Sequence, residues 1–320
     1  MSWRHAGTRA LVAFGTLAFV LVFNFFLFRA VGDPKKDLIR SRLSPAARQA
    51  VIRERGLDKD KLTQFRIYVE QTVRGDLGTS NTSRKAVRDE LIAALPNTLL
   101  LVGIATVLSS FLGSWMGVIA AGRRGSTTDT LLTQGSLVLW SMPFFFIGIV
   151  AIWLFAVKVQ IFPTGLKSTP GGPTSGIDYY WDVFKHLLLP VGTLTASLLA
   201  QYAVIMRTTL LDVLGEDYIT TGRAIGLSRR RVMRQHAVPN ALLPVVTLIA
   251  LNIGVVLSGA FVIESIFSWP GIGDLTINAI GDKDYPVLQG AFLLSSAAVI
   301  IANFAADMVY GYIDPRVKES

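Results

Sequence analysis

The chain has 320 residues, of which 51% are apolar, 17% charged and none cysteine. A soluble protein carries about 25% charged residues, so this shortfall, with a mean hydropathy of +0.48, points to a chain solvated largely by lipid. The lack of Cys excludes disulfide scaffolds, iron–sulfur clusters, thiolate zinc and Cys nucleophiles, and the dispersed His5, His186 and His236 cannot build a His-rich metal centre. No metal site is expected. A net charge of +9 fits either nucleic acid or the cytoplasmic flanks of membrane helices, and the placement of the charges decides between them.

The first charge-free run, 10–28, follows Arg4 and Arg9 as a signal peptide would. It ends, however, in Phe25-Phe26-Leu27-Phe28-Arg29, without the small residues of a cleavage site. An uncleaved anchor is expected. Five further runs follow: 91–122, 130–157, 187–206, 237–263 and 285–306. Each approaches or exceeds the roughly 20 residues that a helix needs to cross about 30 Å of hydrocarbon. Because the bilayer core offers no water to backbone N–H and C=O groups, such runs are helical, and they are too long for barrel strands of about 10 residues. The sequence therefore predicts an all-α membrane protein with six transmembrane helices. Pro96, Pro190 and Pro239 fall in expected first turns, while Pro143 and Pro244 are expected to bend their helices.

With the N-terminus inside, the cytoplasmic pieces hold 12 Lys and Arg and the short external loops hold Lys158, Lys167, Lys185 and Lys283. The positive-inside rule then gives an N-in, C-in chain. Residues 29–90 stand apart, with 15 Lys and Arg against 9 Asp and Glu, in a connection at the length where charge stops controlling translocation. Leu57, Leu62, Phe65, Tyr68 and Val69 have roughly helical spacing there, and Gly75 and Gly78 close the pattern. The division is 1–28 for the cytoplasmic N-terminus and first span, 29–90 for a small external domain capping the helix ends, and 91–320 for a core of five spans with a cytoplasmic region at 208–236.

That cytoplasmic region contains Asp217-Tyr218-Ile219-Thr220-Thr221-Gly222-Arg223-Ala224-Ile225-Gly226-Leu227-Ser228 and then Arg229, Arg230, Arg231 and Arg234. It reads as two short helices, Gly226 ending the first in a left-handed conformation and Ser228 capping the second. Small residues at Thr221, Gly222 and Ala224 leave a slim surface that another protein can approach. A basic loop held near anionic headgroups is the alternative from pattern alone.

This loop resembles the coupling helix of the inner-membrane permease subunits of ATP-binding-cassette importers, within them the B-type permeases of the dipeptide, oligopeptide and nickel systems. The family's small-residue cluster corresponds to Thr220, Thr221, Gly222, Arg223 and Ala224, its glycine to Gly226, and its Leu-Pro-like end to His236-Ala237-Val238-Pro239-Asn240-Ala241-Leu242-Leu243-Pro244. The resemblance extends over nearly the whole chain: Gly32-Asp33-Pro34, Arg74-Gly75-Asp76-Leu77-Gly78, Leu95-Pro96-Asn97-Thr98, Arg123-Arg124-Gly125-Ser126, Ser268-Trp269-Pro270-Gly271-Ile272-Gly273, Asp284-Tyr285-Pro286 and Asp314-Pro315-Arg316 occur in family order. Gly222 stands where the family usually has alanine, and Gln235 and Pro239 replace residues that are often basic.

The resemblance implies a type I ABC importer permease fold in the bacterial cytoplasmic (inner) membrane. The partners it implies are a second related permease in a heterodimer, two ATPase subunits and an extracytoplasmic substrate-binding protein, with peptides as cargo and nickel complexes or oligosaccharides as alternatives. It places ATPase coupling on Tyr218, Thr221, Gly222, Arg223, Ala224, Gly226, Leu227 and His236, and contact with the binding protein or its cargo on Trp269, Pro270, Gly271 and Gly273. The chain has no Gly-x-x-x-x-Gly-Lys-Ser/Thr loop to cradle ATP. It is thus expected to be the non-catalytic subunit of an ATP-hydrolysing translocase and to bind no cofactor, ATP and Mg²⁺ belonging to the partner ATPases.

Two other classes compete with this reading. An ion-coupled secondary transporter needs ionisable groups inside its spans, which these runs lack, Glu264 and Asp307 lying at span ends. An intramembrane enzyme is disfavoured too, since His-Glu-x-x-His is absent and no Ser/His/Asp constellation falls within a span. Gln134, Ser141, Gln201, Asn252, Ser258 and Asn303 are the polar side chains that could face a pathway, although bonding between helices accounts for such residues equally well.

Overall fold

The computed structural model describes residues 3–32, 44–54 and 56–313; within these, the side chains of 3–6, Ala47, Val51, Glu54, 250–259, 306–307 and 309–313 are not described. Asp33-Pro34, Asp314-Pro315-Arg316 and the side chains of Asn252 and Ser258 therefore lie outside the described residues. Among those residues the chain is helical, without a strand. In order the helices are α1 (Trp3–Val31), α2 (Pro45–Glu54), α3 (Lys61–Val73), α4 (Val87–Gly122), α5 (Thr127–Ser141), α6 (Phe144–Ala151), α7 (Gly176–Leu214), α8 (Asp217–Ala224), α9 (Arg229–Val232), α10 (Val238–Ile266), α11 (Ile272–Asp282) and α12 (Tyr285–Ile313). π-Helical segments, Ile152–Lys158 and Met233–Ala237, extend α6 and α9.

Four described helices are long and apolar enough to cross a membrane, in α1, α4, α7 and α12, and α5 with the extended α6 forms a fifth candidate bent by 101°. The bend lies where Met142 and Pro143 leave the helical region, because proline holds φ near −65° and disfavours helix at the preceding residue. Run 130–157 is therefore a broken span or a re-entrant pair rather than one straight helix.

Helices α4 and α7 also start earlier than their charge-free runs. Pro96 and Pro190 sit inside α4 and α7 instead of in their first turns. The lead-in to α7 is amphipathic, exposing Ile177, Tyr180 and Trp181 while burying Asp182 and His186, so charge does not mark where a helix begins. Pro239 follows the π turn directly: it has no N–H for Gln235 and its ring crowds that carbonyl, and the Val238 N–H reaches back to Met233 O. A wider turn absorbs the proline, and helical structure continues from α9 into α10. Pro244 lies within an α10 assigned as one continuous helix.

Contacts divide the chain into Thr98–Trp269 and a second unit of Met1–Asn97 with Pro270–Ser320. In the first, α7 is the axis. It packs against α5, α6 and α10 and buries Leu194, Leu198, Tyr202, Met206 and Leu210. On the facing side, α4 presents Gly113 and Gly117, one helical turn apart. A Cβ on Gly113 would lie 2.5 Å from Leu199 O and 2.7 Å from Tyr202 Cβ; on Gly117 it would lie 2.6 Å from Ala203 O and 2.7 Å from Met206 Cβ. These are backbone-to-backbone approaches that only glycine permits, the small-xxx-small packing of membrane helices.

In the other unit, α1 packs along α12, and the segment after α1 folds onto their ends. Phe25 is the centre, its ring 5.1 Å from Phe65 and 5.5 Å from Tyr68, while Asn24 Nδ2 donates to the Tyr68 hydroxyl at 3.1 Å and to Gln289 O at 3.2 Å. Burial pushes the Tyr68 phenol above its ordinary pKa. Asp60 caps α3 by accepting from the Thr63 N–H and hydroxyl, which holds its carboxyl below the usual range. Leu62, grouped by spacing with the packed face, is exposed.

The loop from Gly78 to Val87 closes on Asp284. The Ser80 hydroxyl donates to Asp284 Oδ2 at 2.6 Å, and the Asn81 and Thr82 N–H groups donate to the same carboxylate at 3.1 and 3.0 Å. Both Ser80 and Asp284 are buried. Asp284→Ala leaves the Ser80 hydroxyl and the Asn81 N–H without this acceptor, each costing about 1–3 kcal/mol when buried, while the Thr82 N–H keeps Ser80 Oγ at 3.2 Å. Trypsin is expected to cut the variant at Arg84 and Lys85 while the wild type resists; equal resistance would contradict the anchoring role.

Candidate functional site

The polar hairpin between α7 and α10 is built as its residues suggest. Glu216 is extended and precedes α8, and α8 ends at Ile225. Gly226 then takes φ +89°, and Ser228 Oγ accepts the Arg231 N–H to open α9. Gly226 is required here for its conformation, since nothing lies within 4 Å of the position a Cβ would take. L-residues with a side chain avoid the left-handed region.

Ile219, Val232 and Ala237 are buried in the core and root the hairpin. Arg229 reaches across to donate to Gly122 O at 2.9 Å, a cation on the carbonyl end of α4. The remaining face is open: Tyr218 is 45% exposed and Ile225 73%, and Thr221, Arg223, Ala224 and His236 are also exposed. Leu227 is half-buried. A basic hairpin with an exposed isoleucine at its turn and an exposed tyrosine at the start of α8 offers a surface suited to contact with another protein.

Gly222 has room for more. A Cβ would make ordinary contacts of 3.6 Å with Leu227 and 3.9 Å with Val232. Gly222→Ala is expected to stabilise α8 by about 1 kcal/mol without altering the exposed face. Hydrogen exchange across 217–224 should slow and transport persist; loss of transport would show that the glycine itself is needed for docking.

An ion pair that the sequence does not announce ties the root of this region. Asp129 accepts from Arg207 Nε at 2.6 Å and Nη2 at 2.8 Å, and from the Gly125 N–H at 3.0 Å. The pair joins α5 to α7 across 78 positions, and Asp129 is almost wholly buried. At the opposite end of α7, Asp182 accepts from the Thr169 N–H at 2.6 Å and hydroxyl at 2.9 Å, and His186 Nδ1 lies 2.8 Å from Gly165 O. The Leu166 N–H donates to Phe267 O at 2.7 Å. The connection from α6 to α7 is thus strapped to both α7 and the end of α10. His186 has a structural job.

The other sequence-derived residues are dispersed. Of Trp269, Pro270, Gly271 and Gly273, only Pro270 is exposed; Trp269 is fully buried, and Pro270 O accepts from Asn97 Nδ2 at 2.8 Å. Gln134 is exposed and Gln201 half-buried, and the Ser141 hydroxyl turns back to Val138 O at 2.8 Å. Among the described residues no cluster of His, Cys, Asp or Glu could hold a metal ion. Sequence reasoning missed Gly113, Gly117, Asp129, Arg207, Asp182 and His186; a four-residue spacing of glycines inside an apolar run was the one available signal.

The helices, the paired glycines and the rooted polar hairpin define a multi-pass membrane protein. Comparison with known proteins agrees. Residues 111–319 match the family described as binding-protein-dependent transport system inner membrane component, and the chain belongs to that family, the permeases of ABC importers. It is 38% identical, over 93% of its length and 94% of the relative's, to the di/tripeptide transport system permease protein DppB of Pseudomonas aeruginosa. It is 34% identical to the oligopeptide transport system permease protein AppB of Bacillus subtilis, with 97% and 98% covered. It is 37% identical to the dipeptide transport system permease protein DppB of Escherichia coli K12, with 92% of each covered. The fold is similar to a chain of the MetNI methionine ABC transporter in an inward-facing conformation, with a TM-score of 0.58 at 16% identity over 70% of this chain and 96% of the other.

Proposed function

We propose that this chain forms half of the translocation pathway of an ATP-driven peptide importer in a bacterial cytoplasmic membrane, with six spans, both termini inside and residues 29–90 outside. Its partners in this reading are a second permease, two ATPases and an extracytoplasmic binding protein. The observation that carries it is the hairpin 217–237, which is rooted in the core through Ile219, Val232 and Ala237, exposes Tyr218, Arg223, Ala224 and Ile225, and runs without a break into α10.

The chemistry divides accordingly. ATP and Mg²⁺ are held by the ATPases, and this chain converts their closure into helix motion. A force on the tip passes along α9 and α10 on one side and α8 and α7 on the other, so the two helices that form the core of the unit move together. Peptide cargo is supported by the names of the relatives; nickel complexes and oligosaccharides are the alternatives within the same architecture. Gln134, Ser141, Gln201, Asn252 and Ser258 are the pathway candidates, and of Trp269, Pro270, Gly271 and Gly273 the exposed Pro270 is the candidate contact with the delivering protein. Co-expression with the neighbouring gene products and reconstitution into liposomes tests this reading. ATP-dependent uptake of di- or oligopeptides is expected, whereas uptake by the chain alone down an ion gradient would contradict it.

A further inference from the structure

A cleft of about 80 Å³ opens in the unit formed by α1, α3 and α12, lined by Arg29, Gln64, Tyr68, Gln71, Asp76 and Gln289 among others. Arg29 is laid over the Phe25 ring at 3.5 Å and spends Nε on Gln64 Oε1 and one Nη1 hydrogen on Phe25 O. Nη2 has no acceptor among the described residues, and the two bonds fix the plane of the fork. Gln289 Nε2 is buried there beside the Tyr68 hydroxyl, which already accepts from Asn24 Nδ2, and makes no hydrogen bond of good geometry. Asp76, the acidic member of the lining, turns an oxygen to its own Gly78 N–H at 2.9 Å.

An anchored guanidinium beside a buried, unmet amide N–H is a site for an oxyanion. Its position names the source. Phe19, Val22, Phe23 and Phe26 on α1 are exposed and form a lipid-facing surface that ends at Arg29, where headgroup phosphates lie when α1 spans the bilayer. The surrounding segment 29–90 has six more basic than acidic residues, an excess of positive charge that attracts the anionic headgroups of whichever leaflet it faces. We propose that this cleft binds the phosphodiester of one phospholipid headgroup, through the Arg29 fork and Gln289 Nε2. A headgroup held there supplies the missing acceptors and pins the basic segment to the membrane surface, a role independent of whether ATPases couple to the chain.

Native mass spectrometry of the full chain, delipidated in detergent and titrated with phosphatidylglycerol, tests this directly. The wild type should keep one lipid adduct, and Arg29→Gln or Gln289→Leu should weaken it about tenfold, the worth of a charge-assisted or buried hydrogen bond. Lys85→Gln removes the same charge from the same segment and should leave the adduct intact. An equal loss in Lys85→Gln and Arg29→Gln would reduce the effect to surface charge and overturn the site. No adduct on the wild type would overturn it as well. Displacement of the lipid by millimolar inorganic phosphate would make the occupant a soluble oxyanion and overturn the lipid assignment. Should Arg29→Gln fail to fold, Gln289→Leu carries the same comparison.

Discussion

Gly117→Leu is expected to abolish the packing of α4 on α7 and with it the accumulation of folded protein. A leucine begins with a Cβ that would lie 2.6 Å from Ala203 O, 2.7 Å from Met206 Cβ and 2.9 Å from Arg207 N, two of the three being backbone atoms that cannot rotate away. Three further carbons then have to fit. Overpacking of an ordinary core costs about 1–3 kcal/mol because side chains yield; here the helices themselves must separate, and the cost should pass the upper end of that range. Lipid offers no hydrophobic force to drive them back together, since close van der Waals contact is what holds such helices. Gly103, on the same helix, has nothing within 4 Å of its Cβ position, so Gly103→Leu is the matched control. Thermal unfolding in detergent should show a large loss for Gly117→Leu and little change for Gly103→Leu. Equal behaviour of the two would contradict the close approach.

Asp129→Ala should be nearly as damaging. It strands the Arg207 guanidinium, whose side chain is only 24% exposed, and frees the Gly125 N–H that helps start α5. Removing one member of a buried pair costs about 3–5 kcal/mol, because the surviving charge is left without compensation, and the partial exposure of Arg207 puts this case at the lower end. Replacing both residues together, Asp129→Leu with Arg207→Met, removes the stranded charge and should recover most of the loss. A double variant as unstable as Asp129→Ala would mean that the carboxylate acts through α5 alone.

These two cases show where the sequence was legible. Four spans and the bent pair were, because hydrocarbon admits few charges and the runs free of them are long. So were Gly226 and Ser228, whose effects are set by their own backbone and the next few residues. The Asp129–Arg207 pair was not, because nothing local links a residue at the start of one helix to another 78 positions away. Helix starts were misplaced for a related reason: Asp182 and His186 look like loop residues by charge, yet the strap formed by Gly165 and Thr169 satisfies them inside a helix. Leu62 fits a helical spacing and is nonetheless exposed, since α3 turns Phe65 and Tyr68 toward Phe25 instead. The paired glycines were written plainly in the apolar run, but their partner surface on α7 was not.

The coupling role is the central claim, and Gly226 isolates it. At φ +89° a β-branched residue is strained by about 1–2 kcal/mol, whereas asparagine tolerates that region; space is equal for both, because nothing lies within 4 Å of the Cβ position. The hairpin is otherwise surface structure, so Gly226→Val should still insert and assemble. In liposomes holding the whole complex, ATP hydrolysis and peptide uptake should be measured together for the wild type, Gly226→Asn and Gly226→Val. The account predicts near-normal uptake per ATP for Gly226→Asn and, for Gly226→Val, hydrolysis that continues while uptake is lost. Uptake per ATP unchanged in Gly226→Val would contradict it.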